Sequence, residues 1–195
     1  MRYAYAALGV GFLILIIGYS LLVPEKETIP KTNTRSMSTL TLQSPAFEHD
    51  ATIPARYTCD GENVSPELQI SGVPEGTQSL VLIMDDPDVP KAVRDDQMFD
   101  HWVLFNIPPE TMSIGAGENP GVLGGNTRGE AAYTGPCPPP QFEPKEHRYI
   151  FQLYALDSKL ALSEGATKEA VKAAMKGHIL DKAELIGRYS REGRE

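Results

Sequence analysis

Ser79-Leu80-Val81-Leu82-Ile83-Met84-Asp85-Asp86-Pro87-Asp88-Val89-Pro90 is the stretch on which the fold turns. An uncharged, mostly apolar run stops at two aspartates and a proline. A run this short, ended by a helix breaker, predicts a buried strand. Pro87 and Pro90 fix φ at their own positions and disfavour helix before them. Asp85 to Pro90 therefore predicts a stiff loop that holds carboxylates at the rim of that strand.

Two further segments repeat the pattern. His101-Trp102-Val103-Leu104-Phe105-Asn106-Ile107 ends at Pro108-Pro109, and Tyr149 to Leu156 is a third apolar run. Leu40-Thr41-Leu42 and Leu68-Gln69-Ile70 alternate as half-buried strands do, and Gly72 to Gly76 makes a loop. One stretch reads as helix: Thr167 as N-cap, Lys168 to Lys176 as body with Val171, Ala174 and Met175 on one face, and Gly177 just past the end. Ala183 to Tyr189 fits either a helical turn or a returning strand. With 16 prolines and 17 glycines among 195 residues, many turns and few helices follow. The expected fold is mainly β, a two-sheet β-sandwich with one or two peripheral helices.

The amino terminus is of a different kind. Tyr3 to Val23 carries no charge. As a helix it spans roughly 31 Å, about one hydrocarbon core. Residues 1–24 are expected to form a transmembrane signal anchor, with a cleaved signal peptide as the alternative; the run is longer than a usual signal core and no A-x-A-like site follows it. Residues 25–39 read as a polar linker, and 40–195 as the folded domain, placed outside the cytoplasm.

Charge narrows the partners. Net charge is −8, and the chain beyond residue 35 carries 14 basic against 24 acidic residues. Such a surface repels phosphate backbones, so nucleic acid is not an expected partner. A small anion needs locally placed donors instead.

Candidate donors stand at strand ends. His101 opens the second apolar run, with Val103 and Phe105 as its alternation partners. His147 enters the third run in His147-Arg148-Tyr149, after the rigid wall Gly135-Pro136-Cys137-Pro138-Pro139-Pro140. An Asp-rich loop and two histidines at like strand ends can converge on one rim. A carboxylate sets an imidazole's tautomer, and the other ring nitrogen then meets an anionic oxygen. Taken singly, each feature also fits a bland role: a polar turn, or a satisfied core histidine. Two His and two Asp would suit zinc by ligand type, but their wide spacing matches no short metal signature. G-x-S-x-G, H-E-x-x-H, a P-loop and a dinucleotide fingerprint are absent, so neither cofactor nor hydrolase is indicated. Cys59 and Cys137 fit one disulfide or two separate buried thiols.

Tyr57-Thr58-Cys59-Asp60-Gly61-Glu62-Asn63-Val64-Ser65-Pro66, Asp86-Pro87-Asp88-Val89-Pro90, His101-Trp102-Val103, Gly135-Pro136-Cys137-Pro138-Pro139, His147-Arg148-Tyr149 and the tail Gly177-His178 to Arg188-Tyr189-Ser190-Arg191 together resemble the phosphatidylethanolamine-binding protein family, in its prokaryotic Raf kinase inhibitor-like branch. The likeness runs from about Leu40 to Arg191. It implies a two-sheet Greek-key sandwich with an anion pocket at one end. Within that pocket it assigns Asp86 and Asp88 as the acidic pair, His101 as the following histidine, Pro136 as wall, His147 and Tyr149 as the H-R-Y residues, and Phe99 as a lip aromatic. Cys137 stands where eukaryotic members carry a second proline, and Lys91 to Asp100 departs most from them. The resemblance implies a binder of phosphate or phosphorylated head groups, and secondarily a protein-interaction or protease-inhibitor module with an unnamed target. A hydrolase is a weaker alternative, with Ser65 or Cys137 as its nucleophile.

Overall fold

The computed structural model describes residue 1 and residues 40–191, and the chain divides into two units, Met1–Arg35 and Ser36–Glu195. Tyr3–Val23 and the linker 25–39 lie outside the described residues; among those, no helix is long and apolar enough to cross a membrane.

The second unit is mainly β with one α-helix. In order come β1 (Thr41–Gln43), β2 (Ala51–Thr52), a 3-10 turn (Ala55–Tyr57), β3 (Leu68–Ser71), β4 (Ser79–Asp86), β5 (Phe99–Ile107), β6 (Ser113–Ile114), β7 (Val122–Leu123), β8 (Glu146–Leu156), α1 (Lys168–Ala174) and β9 (Ile179–Ser190). They form a three-stranded sheet, β1-β3-β6, and a six-stranded sheet, β2-β9-β8-β4-β5-β7. Of the two readings of 183–189, the strand is realised: β9 pairs with β8 along nearly its whole length. Thr167 caps α1, its hydroxyl accepting from Ala170 N at 3.3 Å.

β4 explains its own composition. All eight of its residues are buried between β8 and β5. Leu80, Leu82 and Met84 join Leu42, Leu68, Ile70 and Ile114 in a core shared with the small sheet. Val81 and Ile83 face the other way, onto Val171 and Met175 around α1. A strand covered on both sides has no polar face, hence the unbroken apolar run. Each such side chain contributes about 1.5–3 kcal/mol on leaving water. The strand also runs further than its sequence suggests. Asp85 and Asp86 are its last two residues, and the loop begins at Pro87. Antiparallel pairing with both neighbours brings the end of β4 to the beginnings of β5 and β8.

One expectation is corrected here. Strict alternation would put His101 on the side of Val103 and Phe105. Met84 instead pairs with Trp102 and Asp85 with Asp100, leaving His101 without a counterpart on β4. This is a β-bulge, which re-aims the side chain at the extra residue. Val103 and Phe105 pack in the α1 layer, while His101 lies edge-on to Tyr149, a residue of the main core, at 5.1 Å. The loop 126–135 holds the bulge. Asp100 N donates to Thr127 Oγ1 at 2.7 Å, and Thr127 N to Asp100 O at 3.0 Å. Thr134 N donates to His101 O at 2.9 Å.

Candidate functional site

A cavity of about 310 Å³ opens where β4 ends and β5 and β8 begin. Asp86, Phe99, His101, Cys137 and His147 line it, together with Val89, Arg128, Thr134, Pro138 and Phe142. His147 is placed by simple period-two alternation: it shares the inward face of β8 with Tyr149, Phe151 and Leu153. His101 is placed by the bulge.

The two imidazoles are held in the same way. His101 Nδ1 lies 2.6 Å from Thr134 O, and a carbonyl only accepts, so Nδ1 carries the proton. His147 Nδ1 lies 2.7 Å from Asp86 Oδ2. Both Nε2 atoms are left over. That of His147 is buried without a hydrogen-bond partner among the described residues, and that of His101 is 4.0 Å from Asp86 Oδ2, beyond bonding length. Burial pushes the His101 pKa down to about 4, although the Thr134 carbonyl and Asp86 pull the other way. His101 is therefore neutral near pH 7, with a lone pair on Nε2.

The other expected residues take varied places. Asp86 is spent within the site, its Oδ1 accepting from Asp88 N at 2.8 Å. Asp88 does not line the cavity: it accepts Arg148 Nε at 2.8 Å and Nη2 at 2.7 Å, and that guanidinium holds its pKa below the usual range. It anchors the β4–β5 loop on β8 and orients neither imidazole. Tyr149 packs beneath His101; its hydroxyl is buried, and burial raises its pKa although the Cys137 backbone pulls the other way. The Phe99 ring lies 4.6 Å from that of His101, tilted by 45°. Pro136 does not line the cavity but accepts Cys59 N at 3.1 Å.

Cys59 and Cys137 are joined by a disulfide, with Cα atoms 5.4 Å apart. It ties the cavity wall to the 57–63 loop. Gly135 N donates to Asn63 Oδ1 at 2.8 Å, and Tyr133 Oη to Tyr57 O at 2.7 Å. Glycine is required at 135, because a Cβ there would stand 2.5 Å from Tyr57 O. Of the two candidate nucleophiles, Cys137 is thus occupied, and Ser65 lies off the cavity with its Oγ accepting Gly117 N at 3.1 Å. Among the described residues, no three His, Cys, Asp or Glu gather as a metal site.

Sequence reasoning missed Asn126, Arg128 and Thr134. Asn126 is buried and fully used: Nδ2 donates to Ala132 O and Thr134 Oγ1, and Oδ1 accepts from Arg128 N and Glu130 N. No local motif marked it, since its partners become neighbours only when the loop closes over the bulge.

The fold and this end cavity define the class before any comparison: a mainly β domain with a histidine-lined pocket. The family model described as phosphatidylethanolamine-binding protein matches residues 43–190. A UPF0098 protein of Methanothermobacter thermautotrophicus is 48% identical over 159 residues, covering 78% of this chain and 99% of that one. One from Chlamydia pneumoniae is 44% identical over 151 residues, covering 77% and 98%. A crystal structure of a phosphatidylethanolamine-binding protein homolog from Chlamydia trachomatis superposes with a TM-score of 0.76 at 43% identity, over 80% of this chain and 100% of that one. E. coli YbcL, described as a member of the mammalian family, gives 0.70 at 26%, over 80% and 100%. The chain belongs to the phosphatidylethanolamine-binding protein family, as a prokaryotic member.

Proposed function

We propose that the cavity receives one small anionic group, a phosphate or a phosphorylated head group, and that the domain binds it without turning it over. The observation that supports this best is the pair of imidazoles whose Nδ1 atoms are committed and whose Nε2 atoms are not. A buried polar nitrogen without a partner destabilises by about 1–3 kcal/mol, and a ligand oxygen relieves that. A neutral imidazole can accept the proton of a phosphate P–OH; a protonated one can donate to an anionic oxygen. The two sheets are read as the layers of a Greek-key sandwich with this pocket at one end. The apolar amino-terminal run and the disulfide support a domain tethered outside the cytoplasm, where thiols oxidise. Calorimetry with inorganic phosphate tests the site: the wild type binds, and the His101→Ala, His147→Ala double variant does not. Equal binding by both contradicts the proposal.

A further inference from the structure

Arg128 stands outside every motif that the family resemblance brought forward. It lines the cavity, yet its side chain is exposed, which puts it at the mouth. Among the described residues it forms no ion pair and no side-chain hydrogen bond. Its backbone is fixed all the same. Arg128 N donates to Asn126 Oδ1 at 2.9 Å, and Asn126 Nδ2 donates to Thr134 Oγ1 at 2.9 Å. The guanidinium is therefore mounted on the loop that also holds His101.

The opposite charge has no counterpart there. Asp86 is the sole acid lining the cavity among the described residues. It sits at the floor with Oδ1 taken by Asp88 N and Oδ2 by His147 Nδ1. Among the described lining residues, no other carboxylate stands at the mouth to pair with an ammonium group. Val89, Val93, Phe99 and Phe142 supply apolar wall, and Thr134 and Gln141 are the uncharged polar side chains beside them. At about 310 Å³ the cavity is larger than a bare tetrahedral anion. Pockets from about 300 Å³ upward take small organic ligands against mostly apolar walls.

We infer that Arg128 sets the specificity of this cavity: it favours an anionic head carried on a compact, uncharged apolar body and disfavours a head whose body carries a cation, as ethanolamine phosphate does. Resting on the anion site proposed above, this specificity narrows it. The physical cause is Coulombic. A guanidinium at the mouth, on a backbone held in place by Asn126, attracts the anion as a whole and repels an ammonium on the body, more strongly at low salt.

Ethyl phosphate and O-phosphoethanolamine differ by one ammonium group, and phenyl phosphate adds apolar area without charge. Titrate the three, with inorganic phosphate as the head-group probe, into the full chain and its Arg128→Gln and Arg128→Glu variants at low ionic strength. An exposed side chain is replaced, so the melting temperature stays unchanged and reports intact folding. The wild type should bind ethyl phosphate about tenfold more tightly than O-phosphoethanolamine. Arg128→Gln should bring that ratio to within about twofold, and Arg128→Glu should invert it. Phenyl phosphate should exceed ethyl phosphate in all three proteins. An ethyl phosphate to O-phosphoethanolamine ratio unchanged in Arg128→Gln, or no gain from the phenyl group, overturns the inference while leaving the anion site standing. No binding of inorganic phosphate to the wild type removes both.

Discussion

Asp85 and Asp86 are neighbours in β4 and serve opposite layers: Asp85 meets Lys168 of α1 at 3.1 Å, and Asp86 meets His147 of β8 at 2.7 Å. Asp100 and His101 repeat the division on β5. Asp100 joins Lys168 on the helix side, and His101 faces the cavity. One pair of strand ends thus carries a structural ion cluster on one face and the candidate site on the other.

Lys168 is 8% exposed and answers two carboxylates, so its loss leaves Asp100 without its partner and Asp85 with only Lys172, 4.0 Å away. Lys168→Met should destabilise the fold by about 3–5 kcal/mol, measured by urea unfolding. Burial already raises the Asp85 pKa against the pull of Lys168, and removing that lysine raises it further. A carboxyl whose folded pKa is raised gains stability as pH falls, so the deficit of the variant should shrink from neutral toward acid pH. A deficit that grows in acid would contradict this.

His101 makes the opposite contribution. Its folded pKa is lowered from 6.5 to about 4. Stability from the neutral buried ring is fully present above pH 6.5 and is lost as pH falls from there toward 4. The loss should approach about 1.4 kcal/mol per pH unit, roughly 3 kcal/mol in all. Comparing the wild type with His101→Gln across that range isolates it, because the variant lacks this slope.

Cys59 and Cys137 close a stretch of 78 residues and pin the cavity wall. Replacing both with Ser, or reducing the bond, should cost about 2–5 kcal/mol of stability. Anion affinity should fall with it, since Gly135 to Pro138 lose their covalent tether and keep only hydrogen bonds to the 57–63 loop. Thermal melting with and without reductant checks the first effect, and calorimetry the second.

Asn126→Ala removes the group that joins the Arg128 backbone to Thr134 and leaves several polar partners unsatisfied. It should destabilise by about 2–3 kcal/mol in chemical unfolding and weaken phosphate binding, although the cavity-lining residues around it are intact.

Much of this was legible in the chain. β4 shows itself in the uncharged run from Ser79 to Met84, because both of its faces are covered. His147 follows from alternation with Tyr149 and Phe151. The family resemblance is borne out by the family match and by the related structures. What could not be read depends on contacts between distant segments. The bulge that turns His101 comes from an uneven register between β4 and β5, and no residue type signals it. The motif groups Asp88 with Asp86 as one acidic pair, but Arg148 arrives across the sheet and takes Asp88 away from the cavity. Arg128 and Asn126 lie in a loop whose composition says only that it turns.

The proton is the quantity that decides the proposed site. Sulfate keeps its charge through the neutral and mildly acid range, so it cannot bring a proton to His101 as phosphate can. Sulfate binding should be measured by calorimetry between pH 5 and 7.5 in buffers of different ionisation enthalpy. Affinity should rise up to about tenfold for each unit of falling pH, with close to one proton taken up per sulfate bound. Sulfate binding that is independent of pH, with no proton exchanged, would contradict an anion held by these two imidazoles.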